Sequence, residues 1–441
     1  MDIKYILVIF SLLIIFSYIF DEIARKTKFP SVILLMATGI LARAVADYFG
    51  VQVMYLDQII PVMGTIGLIL IVLEGALELE VRRDKLPIII KGFVAALVIL
   101  LVSIAALSYF FNAYLGMPKA MALMNSIPLA VISSAVAIPS ASALSPLNKE
   151  FVVYESTFSD IIGIMVFNYA MRQFQVGSDL VGIKPIAILL VEIVVIVLVS
   201  VLVTWLLFEL FERITHKVKF FLILALLILV YAIGKRLHMP SLVIIFIFGL
   251  FLSNAEVLLP DYIKRYISMG IAKREGLHEF HLLTAESTFL VRTFFFLFFG
   301  FSITLDSFVD GYNYIYGGII LAILLVIRFI YILVSDRKNI GELTFISPRG
   351  LITILLFLQL RTETVINNKT GEIINLKSTI INEKVLLIVI LGSMLIMMIG
   401  TIGFGKQEEF ESSGGGIGDG TIPNSDEPFN PTSYIDESSK E

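Results

Sequence analysis

Apolar runs of about 20 residues follow one another from residue 3 to residue 403, and that repetition limits what the chain can be. Each run is long enough to cross roughly 30 Å of hydrocarbon as a helix. Hydrophobic residues make up 58% of the 441 and charged residues only 16%. A water-soluble domain has too little interior to bury that much apolar surface. The fold class read here is an all-α polytopic membrane protein.

Thirteen spans are expected, at about 3–20, 30–46, 58–79, 87–111, 118–144, 152–172, 185–211, 219–235, 240–254, 279–304, 313–335, 341–361 and 384–403. The first is read as a retained span: its leading end is short and acidic, and no small-x-small cleavage site precedes "DEIARK". An odd number of spans puts the termini on opposite sides. The loops holding "RKTK", "VRRDK", "RITHKVK", "KRYISMGIAKRE" and "DRKN" carry about 16 Lys and Arg, against about 11 on the other side. That excess places the N-terminus outside and the C-terminus in the cytoplasm of a cell membrane. Residues 1–403 form the transmembrane domain. Residues 404–441 carry nine acidic and two basic residues among Gly, Ser and Pro, and read as a disordered acidic tail. There are no cysteines, and the net charge of −4 gives no sign of a nucleic-acid partner.

Two spans carry breaks. The fifth, "SIPLAVISSAVAIPSASAL", holds Pro128 and Pro139; the twelfth holds "FISPRGLITILL". A proline inside a helix removes a backbone hydrogen bond, and unwound backbone survives at membrane depth only inside protein or beside a watery cavity. Two broken spans, seven apart, fit an inverted-repeat transporter with its site near the midplane.

Charges inside spans are expensive and mark function. The strongest is in "YESTFSDIIG", where Ser156 and Asp160 share a helix face with Ser159 beside them. Glu155 lies about 140° round the helix, so the two carboxyls point apart. Asp160 with its hydroxyls is an oxygen set suited to a small hard cation. Glu155 needs a counter-charge, and Arg328 in "LLVIRFIYILV" supplies one; direct ligation by Glu155 is the alternative. Glu74 in "LILIVLEGALEL" lies on a cation pathway or satisfies backbone. Arg349 offsets carbonyl ends at the second break. Arg292 is read as a private salt bridge with Glu286, and Glu192 as undecided.

These residues resemble the monovalent cation–proton antiporters, in particular the electroneutral sodium–proton exchanger branch, over nearly all of 1–403. "LEGALEL" is similar to the span-three motif, "ESTFSD" to the glutamate-serine-x-x-asparagine-aspartate signature, "VIRFIYI" to the span-eleven arginine, "FFFLFFGFSI" to the span-ten motif and "SPRGLI" to the second broken helix. The resemblance implies Asp160 as the cation- and proton-binding carboxylate, with Ser156, Ser159, Glu74 and the backbone of Ala137 as further ligands. It also implies a structural Glu155–Arg328 pair, broken-helix positions at Ile138, Pro139, Pro348 and Arg349, and a homodimer formed by the early and middle spans. The chain departs from the family pattern twice: Ala137-Ile138-Pro139 stands where threonine-aspartate-proline is usual, and Ser159 where asparagine is usual. At the first break this leaves Ser133, Ser134 or Ser140 and backbone carbonyls.

The expected function is exchange of a monovalent cation, sodium first, for a proton, without cofactor or enzymatic chemistry. Potassium or lithium in its place is the alternative within transport. A cation channel or ion sensor is the alternative outside it, although no T-V-G-Y-G filter is present. No Walker A sequence is present either, so ATP does not drive the process directly. The tail's "GIGDG" stands alone, without the second motif an intramembrane protease requires.

Overall fold

The computed structural model describes residues 11–12, 14–23, 30–49, 56–141, 144–176, 195, 198–206, 220–236, 241–258, 274–303, 311–362, 365–366, 373–374, 376 and 378–413. Thirteen helices are labelled in chain order: α1 Ser31–Tyr48, α2 Leu56–Glu78, α3 Leu86–Ala113, α4 Lys119–Ala130, α5 Ser134–Ser140, α6 Pro146–Val176, α7 Phe220–Arg236, α8 Ser241–Leu258, α9 Arg274–Ser302, α10 Gly311–Ser335, α11 Ile340–Phe345, α12 Leu351–Thr362 and α13 Glu383–Ser413. Before α1, residues 11–23 are helical where described, and Tyr18 meets the ring of Phe289 on α9 at 4.9 Å. Val365–Ile366 (β1) and Ile373–Ile374 (β2) make a small antiparallel pair.

The labelled helices match the expected spans, with α4 and α5 sharing the fifth and α11 and α12 the twelfth. Much of the first and seventh spans, with Glu192, lies outside the described residues. Among the described residues, seven helical stretches are long and apolar enough to cross a membrane, and two shorter apolar ones accompany them. The helix α13 continues to Ser413, past the boundary expected at 403. Residues 414–441 lie outside the described residues.

The helices are apolar on both faces, as membrane spans are. Helix α3 turns Gly92, Ala95, Ile99, Ser103 and Leu107 inward at helical spacing, while Val94, Val98, Leu101 and Val102 stay exposed. Helix α10 buries Gly317, Ile320, Leu324, Arg328 and Ile332 and exposes Ile315, Val326, Ile330 and Val334. Lipid is the medium that matches such an outer face. Arg328 therefore sits on the inward stripe of its helix, where a partner is required.

The helices gather into two bundles. In one, α1, α2, α7, α8 and α9 pack on each other; in the other, α3 to α6 pack with α10 to α13. Helix α2 joins them, since it also touches α5, α6 and α12. Within the first bundle α1 and α9 cross at Gly39 and Gly300, where a Cβ on either residue would overlap the other helix's backbone. Small residues permit such close approach in membranes.

Candidate functional site

The two interrupted spans cross inside the second bundle, and their freed backbone groups have identifiable partners. Between α4 and α5 the chain is unwound over 131–133; between α11 and α12 it is unwound over 346–350. Buried backbone groups must be paired. The carbonyl of Val131 accepts from Nη1 of Arg349 at 3.1 Å, and the Ile132 amide donates to Ser159 Oγ at 3.0 Å. The Ser133 amide donates to the Pro348 carbonyl at 2.9 Å, and the Arg349 amide to Ser393 Oγ at 2.9 Å. At the end of α11 the Leu343 carbonyl accepts from Nε of Arg328 at 2.7 Å. The breaks are so close that a Cβ on Gly350 would come within 2.6 Å of Ser133 Oγ.

Asp160 stands against this crossing, 2% exposed. Its Oδ2 accepts from the Ser134 amide at 3.1 Å and from the Ser134 hydroxyl. Its Oδ1 is buried without a hydrogen-bond partner. Gly163, one turn on, faces Val131, whose side chain fills the space a Cβ would need.

Glu155 and Arg328 form a bidentate pair, with Nη1 to Oε1 at 2.6 Å and Nη2 to Oε2 at 2.9 Å. Both are almost fully buried, and the fork geometry satisfies both carboxylate oxygens. Arg349, 2% exposed, is within electrostatic range of this pair.

The remaining expected residues are placed differently. The break precedes Ala137, Ile138 and Pro139, which lie inside α5, and the Ala137 carbonyl accepts the Ala141 amide at that helix's end. Of the three serines expected at the break, Ser134 reaches Asp160, while Ser140 bonds back to Val136 within α5. Ser156 likewise turns back to the Val152 carbonyl at 2.7 Å, and Ser159 supports the unwound segment. Glu74 belongs to another group, with Thr288, Arg292 and Glu78 as its neighbours. Arg292 reaches the Ala135 carbonyl at 3.0 Å instead of pairing with Glu286. The sequence signal for that contact is Pro139, which has no amide hydrogen to give the carbonyl four residues earlier.

A funnel of about 1280 Å³ runs between the bundles to this region. Its wall includes Ala135, Val136 and Ile138 to Ser140 from α5, Val153 from α6 and Arg292 from α9. At its rim Lys85 pairs with Glu80 at 2.9 Å and Glu150 at 3.0 Å, and Tyr154 donates to the Glu80 carbonyl at 2.9 Å. The Lys85 ammonium is held above the ordinary lysine range by its hydrogen bonds to Glu80 and Glu150. Leu77 and Glu78 at the end of α2, Lys85 just before α3, and Pro146, Lys149 and Glu150 at the start of α6 line this side, so the funnel opens on one face.

The sodium/hydrogen exchanger transmembrane family matches residues 10–404. The chain belongs to this family. It is thus a multi-pass membrane transporter of the cation–proton antiporter type, not an enzyme. The fold is similar to that of the sodium proton antiporter MjNhaP1 from Methanocaldococcus jannaschii. One structure of that protein, at pH 8, gives a TM-score of 0.66 at 19% identity, covering 92% of this chain and 100% of the other. A second, from electron microscopy, gives 0.65 at 18% identity, covering 96% and 100%. Among curated proteins no sequence match was found.

Proposed function

We propose that this exchanger moves a monovalent cation, sodium first, against a proton by alternating access, with Asp160 holding one or the other in turn. The observation that carries this reading is Asp160 itself. It is a buried carboxylate at the crossing of two unwound helices, with Oδ2 occupied by Ser134 and Oδ1 open to a further ligand. A cation and a proton compete for the same lone pairs, so both are not held together. Glu155 is committed to Arg328, which leaves one exchangeable acid beside the break and a ratio of one proton per cation. The excess of Lys and Arg in the loops on the funnel's side makes that face cytoplasmic. Export of the cation then draws on an inward proton gradient. The likeness to a sodium proton antiporter supports sodium as the first candidate. Potassium is the second reading, favoured by Ile138 where the family pattern has aspartate, which leaves the Ser134 hydroxyl as the polar group beside Asp160.

The test is proton flux in inside-out vesicles with an acid interior, with sodium, potassium or lithium added separately. The wild type should release its gradient for the transported cation, and Asp160→Asn for none. A cation response that survives in Asp160→Asn would sink the assignment. Current without proton coupling would turn the reading to a channel.

A further inference from the structure

Arg292 spans the gap between the two bundles. It stands on α9 in the first, flanked by Glu74 and Glu78 of α2, and its Nη1 donates at 3.0 Å to the carbonyl of Ala135 on α5 in the second. That carbonyl lacks its usual α-helical donor. In an α-helix it would accept from the amide of residue 139, and residue 139 is proline. Ala135 also follows Ser134, whose amide and hydroxyl hold Asp160. The contact therefore ties the segment beside Asp160 to the opposite bundle, on the funnel wall that both residues line.

We propose that Arg292 is a latch for the funnel-open arrangement: its bond to the Ala135 carbonyl holds the bundles in this relation and breaks before Asp160 faces the other side. This rests on the alternating-access reading above. Pro139 is the second half of the device, because it keeps the acceptor free for a donor from outside the helix. A charge-assisted hydrogen bond on this half-buried wall is strong enough to bias two arrangements, and it forms in only one of them.

The chain contains no cysteine, so Ser253→Cys on the funnel wall creates a single reporter thiol. In vesicles, a membrane-impermeant maleimide supplied from the funnel side should label this thiol in the otherwise unchanged protein. Adding Arg292→Gln should slow labelling about ten-fold, the lower end of the scale for one lost charge-assisted bond. Arg292→Lys, which keeps a donor, should recover most of the rate. Pro139→Ala gives residue 139 an amide that competes for Ala135, so it should slow labelling too, and combining it with Arg292→Gln should add little. An unchanged labelling rate in Arg292→Gln, or fully additive effects in the double variant, would overturn the latch. If Arg292→Gln fails to fold, Pro139→Ala tests the same bond from the acceptor's side. The exchange reading is separated by Asp160→Asn: slowed labelling in Arg292→Gln with exchange intact in Asp160→Asn keeps the latch and rejects Asp160 as the carrier. Loss of exchange in Asp160→Asn with unchanged labelling in Arg292→Gln rejects the latch alone.

Discussion

The Ser133 amide donates to the Pro348 carbonyl at 2.9 Å, so the two interrupted helices are joined backbone to backbone. A proline has no amide to offer but keeps its carbonyl, and the second break presents that carbonyl to the first. Asp160, one residue from this bond through Ser134, takes its position from it.

Gly350→Ala tests the closeness of this crossing. Its methyl group would meet Ser133 Oγ at 2.6 Å and Val136 Cγ2 at 2.9 Å. Overpacking of this kind costs about 1–3 kcal/mol. The melting temperature in detergent should fall, and exchange by the folded fraction should slow. An unchanged melt with normal flux would show that the crossing relaxes freely.

Glu155→Gln tests the buried pair. It leaves the Arg328 charge without its counter-ion, a change that costs about 3–5 kcal/mol when a buried pair loses one partner. Replacing both, as in Glu155→Leu with Arg328→Met, should be milder than Glu155→Gln alone, although the Leu343 carbonyl then loses its donor. Thermal unfolding of the three proteins decides the order, and a double variant less stable than Glu155→Gln would contradict it.

Asp336 lies just past α10 and pairs with Lys91 of α3 at 2.6 Å. Burial pushes its carboxyl up, but hydrogen bonds from Lys91 and Asn339 outweigh this and hold it below the ordinary aspartate range. A lowered folded-state value means stability that is present above the unfolded value and lost as pH falls through the folded one. The wild type should therefore exceed Asp336→Asn by at most about 1 kcal/mol at neutral pH. That margin should persist until pH drops below about 4, where an ordinary aspartate protonates. A margin already lost near pH 6 would point to a different group.

Gly300→Ala tests the first bundle by itself. A Cβ there overlaps the Met36 carbonyl, so α1 and α9 must separate, at roughly 1–3 kcal/mol. Stability should drop, while the order of cation preference, set around Asp160 in the other bundle, should not change. A changed preference in flux assays would mean that the α1–α9 contact shapes the ion site.

Much of this architecture is legible residue by residue. Arg328 could be matched to Glu155 because deep charges are few in an apolar chain and each needs an opposite charge. Ser134 is one of three serines near the first break, but the prolines place the expected break at Ala137, Ile138 and Pro139. The chain instead unwinds at 131–133 and tolerates Pro139 inside the short helix α5. Ser156 shares a face with Asp160, but its hydroxyl is satisfied by Val152, four residues back. Serine in a helix can always take that local option. Arg292 has an acid nearby in sequence in Glu286, but six residues set the two about 120° apart round the helix, and the carbonyl it reaches lies 157 residues distant in sequence.

The sequence by itself determined the solvent, the order of the spans and which residues carry charge into the membrane. These follow from transfer free energies and from the helical period, which act locally along the chain. Only the tertiary structure decided that Ser133 meets Pro348, that Ser134 faces Asp160 and that Arg292 crosses to Ala135. Each of those contacts joins segments far apart in sequence or on different helices. Their partners are chosen by where unwound backbone leaves a donor or acceptor with no water to satisfy it, which the helical period cannot show.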